Sequence, residues 1–493
     1  MKKSIFVLLV FMVFTFQVKA KEYVVATITD FENAVIKVKP GDVIIWKEGK
    51  YSDMKIDFTP LSNGTSESPI ILKAQAAGKV IFSGSSQLFI GGNYLIVDGF
   101  LFEGNCTLES NGNVINFKSK RKNNNNEATY CRLTNCAIIN YSLSETSGKK
   151  NYYVNLVGTN NEVDNCTFEG KSNAGPTLII EYKQEKGYIP GSDVAPSSLH
   201  HIHHNYFGYR TYSSNGGEQI RVGTSTTSFT HGFNLVEYNY FEDERIEAEI
   251  ISNKSWNNIY RFNTFCGNDG AMVIRHGQNC FVYGNYFNGK SGRFRSGGIR
   301  VINPNNTVFN NYIENIEGGK GNSKFPITIM DGLVDSPLNG YYPADNAIIA
   351  YNIVVNSYGP AIKLGVINKD VNKPKVAPKN VILVGNTIIN SIGYNNFPFE
   401  LADSNATFKT KDNFFTNGNT TDPGFSFIKL EKIPFDSKFY EVKSIIDPVI
   451  INEINNRLSI HSIKLKDTDI SKFNPNWILK KKEVGVSWMK NNL

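Results

Sequence analysis

Between Cys131 and Ile389 the chain repeats one short pattern: a few alternating apolar and polar positions, an asparagine, two or three apolar or aromatic residues, then glycine or a polar turn. Asn135, Asn165, Asn205, Asn239, Asn263, Asn285, Asn311, Asn352 and Asn386 head successive copies. From Asn239 the steps to Asn263, Asn285 and Asn311 are 24, 22 and 26 residues, while steps of 40 and 41 elsewhere imply loops inserted into a coil of about 22. Alternation with period two predicts strands, and nothing between the copies has the 3.6-residue period of a helix. Short strands recurring once per coil, with asparagine at the corners, predict an all-β fold: a single-stranded parallel β-helix in which asparagines stack and apolar residues fill a continuous interior. A leucine-rich solenoid would carry a leucine consensus, and a propeller would show blades of about 40 residues with their own signatures. Neither is present.

Flanking segments complete the expected organisation. The stretch from Phe31 to Gly49 reads as a short amphipathic helix followed by Pro40, Gly41, Asp42 and a strand, a cap for the open N-terminal end. Lys118 to Glu127, with four consecutive asparagines, reads as a polar loop. After Ile428 the repeat fades, and residues 429–493, with Trp477 and Trp488, read as a C-terminal capping segment. The β-helix with its N-terminal cap is expected over 21–428, preceded by a signal peptide over 1–20. Lys2 and Lys3 are its charged start, Ile5 to Phe16 its apolar run, and Val18-Lys19-Ala20 its cleavage site. The apolar run is shorter than the ~20 residues a membrane span needs. The chain is therefore expected to be secreted or periplasmic, with no membrane partner.

Composition narrows the classes further. With 41% hydrophobic and 12% aromatic residues in 493, the chain can bury a large core and is not a disordered protein. Its 60 asparagines argue against a mostly helical fold, because asparagine favours turns over helix interiors. Lys and Arg number 52 against 45 Asp and Glu, and no dense basic tract occurs, so nucleic acid is not an expected partner. Removing the three lysines of residues 1–20 reduces the formal excess from +7 to +4. Eight of the 11 arginines nevertheless lie between Arg210 and Arg300, which puts affinity for an anionic ligand in one part of the repeat. The six cysteines are too few for a disulfide scaffold, and no CxxC occurs, so a zinc site is not expected; small buried side chains are the reading preferred for them.

The densest group of ionisable residues lies in consecutive coils: Asn215 to Arg221, Glu247 to Lys254, and Arg275 with His276. Glu247 and Glu249, at i and i+2, would share a face of a strand, either pointing into solvent or sharing a cation. Hard oxygen donors at that spacing suit Ca2+, and the Asn215 carboxamide of the preceding coil could complete the set. Lys254 and Arg275 are 21 residues apart, about one coil, so stacking brings them together unless both are surface charges. An amine beside a guanidinium and a divalent cation favours its neutral form, as a general base requires. Arg221 and Arg300, the latter 25 residues past Arg275, either clamp carboxylates of a ligand or pair with Glu or Asp.

The run Glu247-Ala-Glu249-Ile-Ile-Ser-Asn-Lys254, followed by Asn258, Asn263 and then Arg275-His276-Gly277, closely resembles polysaccharide lyase family 6, the family of alginate lyases and chondroitinase B. The resemblance covers most of the chain from Pro40 onward. It implies a right-handed parallel β-helix that cleaves a uronic-acid polymer by β-elimination, with Asn215, Glu247 and Glu249 as calcium ligands, Lys254 as general base and Arg275 as the acid. A guanidinium holds its protons too tightly to donate them readily, so Arg275 reads mainly as an electrostatic group. Water or a neighbour such as His276 would supply the proton.

An anionic polysaccharide is thus the expected partner, acted on by a monomer. A sulfated substrate such as dermatan sulfate would call for more arginines in the later coils, where only Arg457 follows Arg300, so alginate is favoured. Hydrolysis by paired aspartates is disfavoured because the chain has no Asp-Asp and no Gly-His-Gly. A carbohydrate-binding β-helix without catalysis is the remaining alternative.

Overall fold

The computed structural model describes residues 20–121, 127–144, 147–182, 197–210, 216–245, 247–290, 295–318, 323–366, 374–390, 397–417, 424–428 and 445–492. The expected signal peptide over 1–20 lies, except for Ala20, outside the described residues. Three long sheets run the length of the repeat, of 14, 14 and 12 strands, and each strand pairs in parallel with its counterpart one coil further on. One coil, for example, contributes Ile259–Arg261 to the first sheet, Thr264–Cys266 to the second and Ala271–His276 to the third. The architecture is a right-handed parallel β-helix, the hand that parallel crossovers almost always take.

The corner between the first and second sheets shows why asparagine recurs. It is two residues long, and the first has a left-handed backbone: His204 (φ 53°), Tyr238 (52°), Phe262 (56°), Asn310 (52°) and Tyr351 (55°), with glycine at 284 and 385. That conformation costs a non-glycine residue about 1 kcal/mol or more. Stacking of the corner side chains offsets part of the cost, with ring centroids 5.2 Å apart for His204–Tyr238 and 5.1 Å for Tyr238–Phe262. The second corner residue is the buried asparagine. The backbone N–H of Asn205, Asn239, Asn263, Asn285, Asn311 and Asn352 each donates to the side-chain oxygen of the next coil's asparagine at 3.0–3.1 Å. A backbone group that sheet pairing cannot satisfy is thereby satisfied inside the coil.

At the start of the repeat the assignment shifts by one residue. Asn135 and Asn165 occupy the left-handed corner position, with φ of 52° and 50°, and Cys136 and Cys166 take the inner place. The N–H of Cys166 donates to the Asn205 side-chain oxygen at 3.0 Å. Asparagine suits both the corner and the ladder, so the pattern alone does not separate them. A second ladder at another corner likewise alternates asparagine with Cys131, His200 and Cys280. All six cysteines are free.

One apolar core runs through the coils, with Phe207, Phe241, Phe265 and Phe287 stacked at 4.9, 4.8 and 4.4 Å. The N-terminal helix spans Ile28–Val35, starting before Phe31 because the Thr27 side chain caps it by accepting from the Asp30 N–H. It buries Phe31 against Trp46. The C-terminal residues pack along the outside. The helix Pro448–Leu458 buries Ile450, Ile451 and Ile454 on first-sheet residues such as Phe281 and Phe309. Phe473 then packs on Tyr286 and Tyr312, Val484 on Tyr206 and Tyr240, and Val486 on Leu101 and Ala137, so the segment returns along the second sheet toward the early coils. Among the described residues these contacts lie on the first and second sheets. Among the described residues no helix is long and apolar enough to cross a membrane.

Candidate functional site

The third sheet carries the predicted site residues on consecutive strands: Ile220–Val222, Glu249–Lys254, Ala271–His276 and Ile299–Val301. Register aligns Arg221, Ser252, Val273, Arg300, Thr328 and Lys363 in one row across the coils, and Lys254 lies opposite His276. Inward-facing Ile220, Ile251, Met272 and Ile299 fill the core beneath that row. Asn215 lies outside the described residues. The register breaks at Ile250–Ile251 and again after Asn253. At the first break both isoleucines enter the core, and at the second the Asn253 carboxamide, fully buried, donates to the carbonyls of Ser255 and His276 at 2.9 and 2.8 Å. These hydrogen bonds fix the strand end that presents Lys254 outward.

Lys254 is half-buried, and its amine makes no hydrogen bond or ion pair among the described residues. Burial, then the Arg221 guanidinium, holds it below the usual lysine range; Arg275 acts the same way against the opposing Glu218 and Glu249. Arg275 is fixed by a later segment: it donates to the carbonyls of Gly340 at 3.1 Å and Asn339 at 3.3 Å, and lies 4.0 Å from the Tyr341 ring centroid. His276 is buried, with Nε2 3.3 Å from the Ser225 hydroxyl and no partner at Nδ1. Burial, with Arg275 and Lys254 beside it, pushes its pKa down to about 2, so the imidazole is neutral.

The two glutamates occupy different settings. Glu247 precedes the strand instead of sharing it with Glu249, and its carboxylate accepts from the N–H groups of Gly216 (3.1 Å), Gly217 (2.9 Å) and Ala248 (2.7 Å). Burial raises its pKa, and Glu218 and Glu249 raise it further. Glu249 accepts from Arg300 at 2.5 Å; burial would raise its pKa, but Arg300, Ser252, Arg275 and Lys254 outweigh it and hold it low. Arg221 pairs with the buried Glu218 through two bonds of 3.0 and 2.6 Å. Both arginines therefore sit beside carboxylates while lining the row. Glu218 and Glu249 lie near enough to Glu247 to raise its pKa, and carboxylate oxygens are the donor type calcium takes. Glu218 is however engaged by Arg221, Glu249 by Arg300 and Glu247 by backbone N–H groups, and the three do not converge on one point.

Some contributors were not legible in the sequence. Glu218 was signalled only by its i, i+3 spacing from Arg221. Gly340 and Tyr341 lie about 65 residues from Arg275, and nothing local links them. A separate group on the first sheet, Glu162, His201 and His203, can hold a metal ion, with one donor atom from each within 4.8 Å of the others.

A family model described as Chondroitinase B matches residues 25–465. Among solved structures, the PL6 family alginate lyase AlyGC is 31% identical with a TM-score of 0.79, over 95% of this chain and 58% of its own. This chain thus spans 58% of that protein's length. A mannuronic acid specific polysaccharide family 6 lyase from human gut microbiota is 25% identical with a TM-score of 0.72, over 96% of this chain and 100% of its own. The PL6 family polysaccharide lyase Pedsa3628 from Pseudopedobacter saltans is 25% identical with a TM-score of 0.67, over 84% of this chain and 97% of its own. No curated protein matches the chain in sequence.

Proposed function

The chain belongs to the chondroitinase B family, polysaccharide lyase family 6, and from that premise we propose that it is an exported lyase cleaving alginate by β-elimination, with Lys254 as the base. The observation that carries this reading is the half-buried Lys254 amine, without a hydrogen bond or ion pair among the described residues and held toward its neutral form by burial and by the Arg221 and Arg275 guanidinium groups. A neutral amine can accept a proton, and the surrounding cations attract the carboxylates of a uronate polymer.

In this reading Lys254 Nζ takes the C5 proton, the C–H electron pair becomes the C4–C5 double bond, and the C4–O bond breaks. The products are a new reducing end and a 4,5-unsaturated non-reducing end. The C5 proton leaves only if the neighbouring carboxylate is neutralised so that charge can spread into it. Glu247 and Glu249, with Asn215, would hold a calcium ion, which when bound supplies that neutralisation as a Lewis acid. Arg275, fixed by the Gly340 and Asn339 carbonyls, donates hydrogen bonds to developing negative charge without giving up a proton. The departing oxygen takes its proton from water, because the His276 imidazole, kept neutral by burial, is a weaker acid than a guanidinium. Arg221, a fifth exposed beside Glu218, binds a carboxylate of an adjoining sugar, whereas Arg300, only 9% exposed, is engaged by Glu249.

Alginate is favoured over dermatan sulfate because the row beyond Arg300 continues through Thr328 to Lys363, which is itself paired with Glu400 at 2.8 Å. A sulfated chain needs more unpaired cation than that. Initial rates of unsaturated-uronate absorbance on alginate and on dermatan sulfate test the assignment: faster cleavage of alginate supports it, and faster cleavage of dermatan sulfate overturns it.

A further inference from the structure

The outer face of the first sheet changes character along the solenoid. From Ile259 through Phe281 and Ile348 it is apolar and covered by the C-terminal helix. In the preceding coils, which that helix does not cover, two adjacent rows carry Arg132, Glu162 and His201, and Asp164, His203, Glu237 and Arg261. His201 and His203 are i, i+2 on one strand, with ring centroids 4.0 Å apart. His203 Nε2 lies 2.7 Å from Glu162 Oε1 on the preceding coil, and His201 Nε2 lies 2.9 Å from Glu237 Oε1 on the following one.

We propose that Glu162, His201 and His203 form a binding site for a zinc-type divalent ion, with Glu237 orienting His201 or entering as a fourth ligand. This site is separate from the row on the third sheet and does not depend on the function proposed for it. The absence of CxxC gave no expectation of zinc, but imidazole with carboxylate is equally a zinc donor set. Nitrogen and oxygen donors in a tetrahedral zinc site are about 3.3 Å apart, given bonds of about 2.0–2.1 Å. The donor atoms here all lie within 4.8 Å of one another, on the scale of that spacing. Parallel strand pairing on both sides holds the three coils in register, so the donors are brought together before any ion binds.

The surroundings suit such an ion. His203 Nδ1 lies 2.8 Å from His204 Nδ1; when His203 donates in that contact, its Nε2 lone pair points toward Glu162, the form that ligates metal. Arg132 is engaged by Asp164 at 2.6 Å and lies 3.6 Å from Glu162, and Arg261 is engaged by Glu237 at 2.6 Å. Three carboxylates against two guanidiniums leave a negative excess for a cation to neutralise. His201 and Glu162 are 38% and 34% exposed, which leaves an open side for an ion to enter and for a water ligand. The ion would staple two coils joined by a step of 40 residues, among the longest in the repeat, and Glu237 as a fourth ligand would add the next coil, 34 residues on.

The test uses the full chain after chelator treatment and dialysis, titrated with zinc chloride, with bound metal counted by mass spectrometry. Wild type should retain one zinc beyond background and melt at a higher temperature with zinc. His201→Ala/His203→Ala should bind at least ten-fold more weakly and lose the shift, whereas Glu247→Gln should retain both. Cobalt added to wild type should give the visible absorption of a tetrahedral N/O site, a readout that needs no variant. Equal zinc retention by the double-histidine variant, no zinc on wild type, or an octahedral cobalt spectrum would each overturn the site.

Discussion

The pair between Arg300 and Glu249 links the row on the third sheet to a proposed calcium ligand, and its energetics can be read from the geometry. The charges are 2.5 Å apart and their side chains are only 9% and 14% exposed. In an effective dielectric of about 20 that separation corresponds to an attraction of about 7 kcal/mol. Desolvation of two nearly buried ions removes several kcal/mol of it, so the intact pair contributes little net stability. Removing one partner is different, because the other charge stays buried alone, at a cost of about 3–5 kcal/mol. The lower figure applies here, since both groups keep some contact with water and Glu249 retains Arg275 and Lys254 nearby. Arg300→Met should therefore cost about 3 kcal/mol in the calcium-free protein, and Glu249→Gln a similar amount. The double variant should lose clearly less than the sum, because neither charge is then orphaned. Urea unfolding followed by tryptophan fluorescence, on variants that show one transition, measures all three. Additive losses, with a coupling below about 0.5 kcal/mol, would refute the pairing.

Other predictions address the chemistry and the frame. Activity on a uronate polymer should rise with pH as Lys254 loses its proton, with the limb below the usual lysine range of about 10.4. Because Arg221 helps lower the Lys254 pKa, Arg221→Met should move that limb to higher pH, and an unmoved limb would remove Arg221 from this role. Tyr341→Ala should lower kcat about two- to five-fold, the loss of about 0.5–1 kcal/mol of cation–π contact, with little change in melting temperature. Burial and Asp403 raise the Asp331 pKa to about 7. The folded chain then binds more protons than the unfolded chain between about pH 4 and 7, so this group's stabilisation is present at low pH and is lost as pH rises through 7. Asp331→Asn should narrow the melting-temperature difference between pH 5 and pH 8, and an unchanged difference would refute the assignment.

The repeat was legible because each coil needs a left-handed corner followed by a buried hydrogen-bonding side chain, and asparagine serves both needs. The same double use hid the one-residue shift at Asn135 and Asn165, where Cys136 and Cys166 take the inner place. Lys254 and Arg275 could be brought together by coil arithmetic, since parallel stacking converts a spacing of 21 residues into adjacency. The Gly340–Tyr341 support of Arg275 could not, because it arrives from an inserted segment whose length follows no repeat. Nor did the sequence reveal the path of the C-terminal residues. Their apolar side chains marked them as packed, but only the outward-facing rows of the first and second sheets decide where.

Elimination by Lys254 is tested most directly by counting chain ends. Alginate digested by the wild type should yield one 4,5-unsaturated end for every new reducing end, and Lys254→Ala should abolish both signals together. Reducing ends without matching unsaturation, or full activity in Lys254→Ala, would contradict the account.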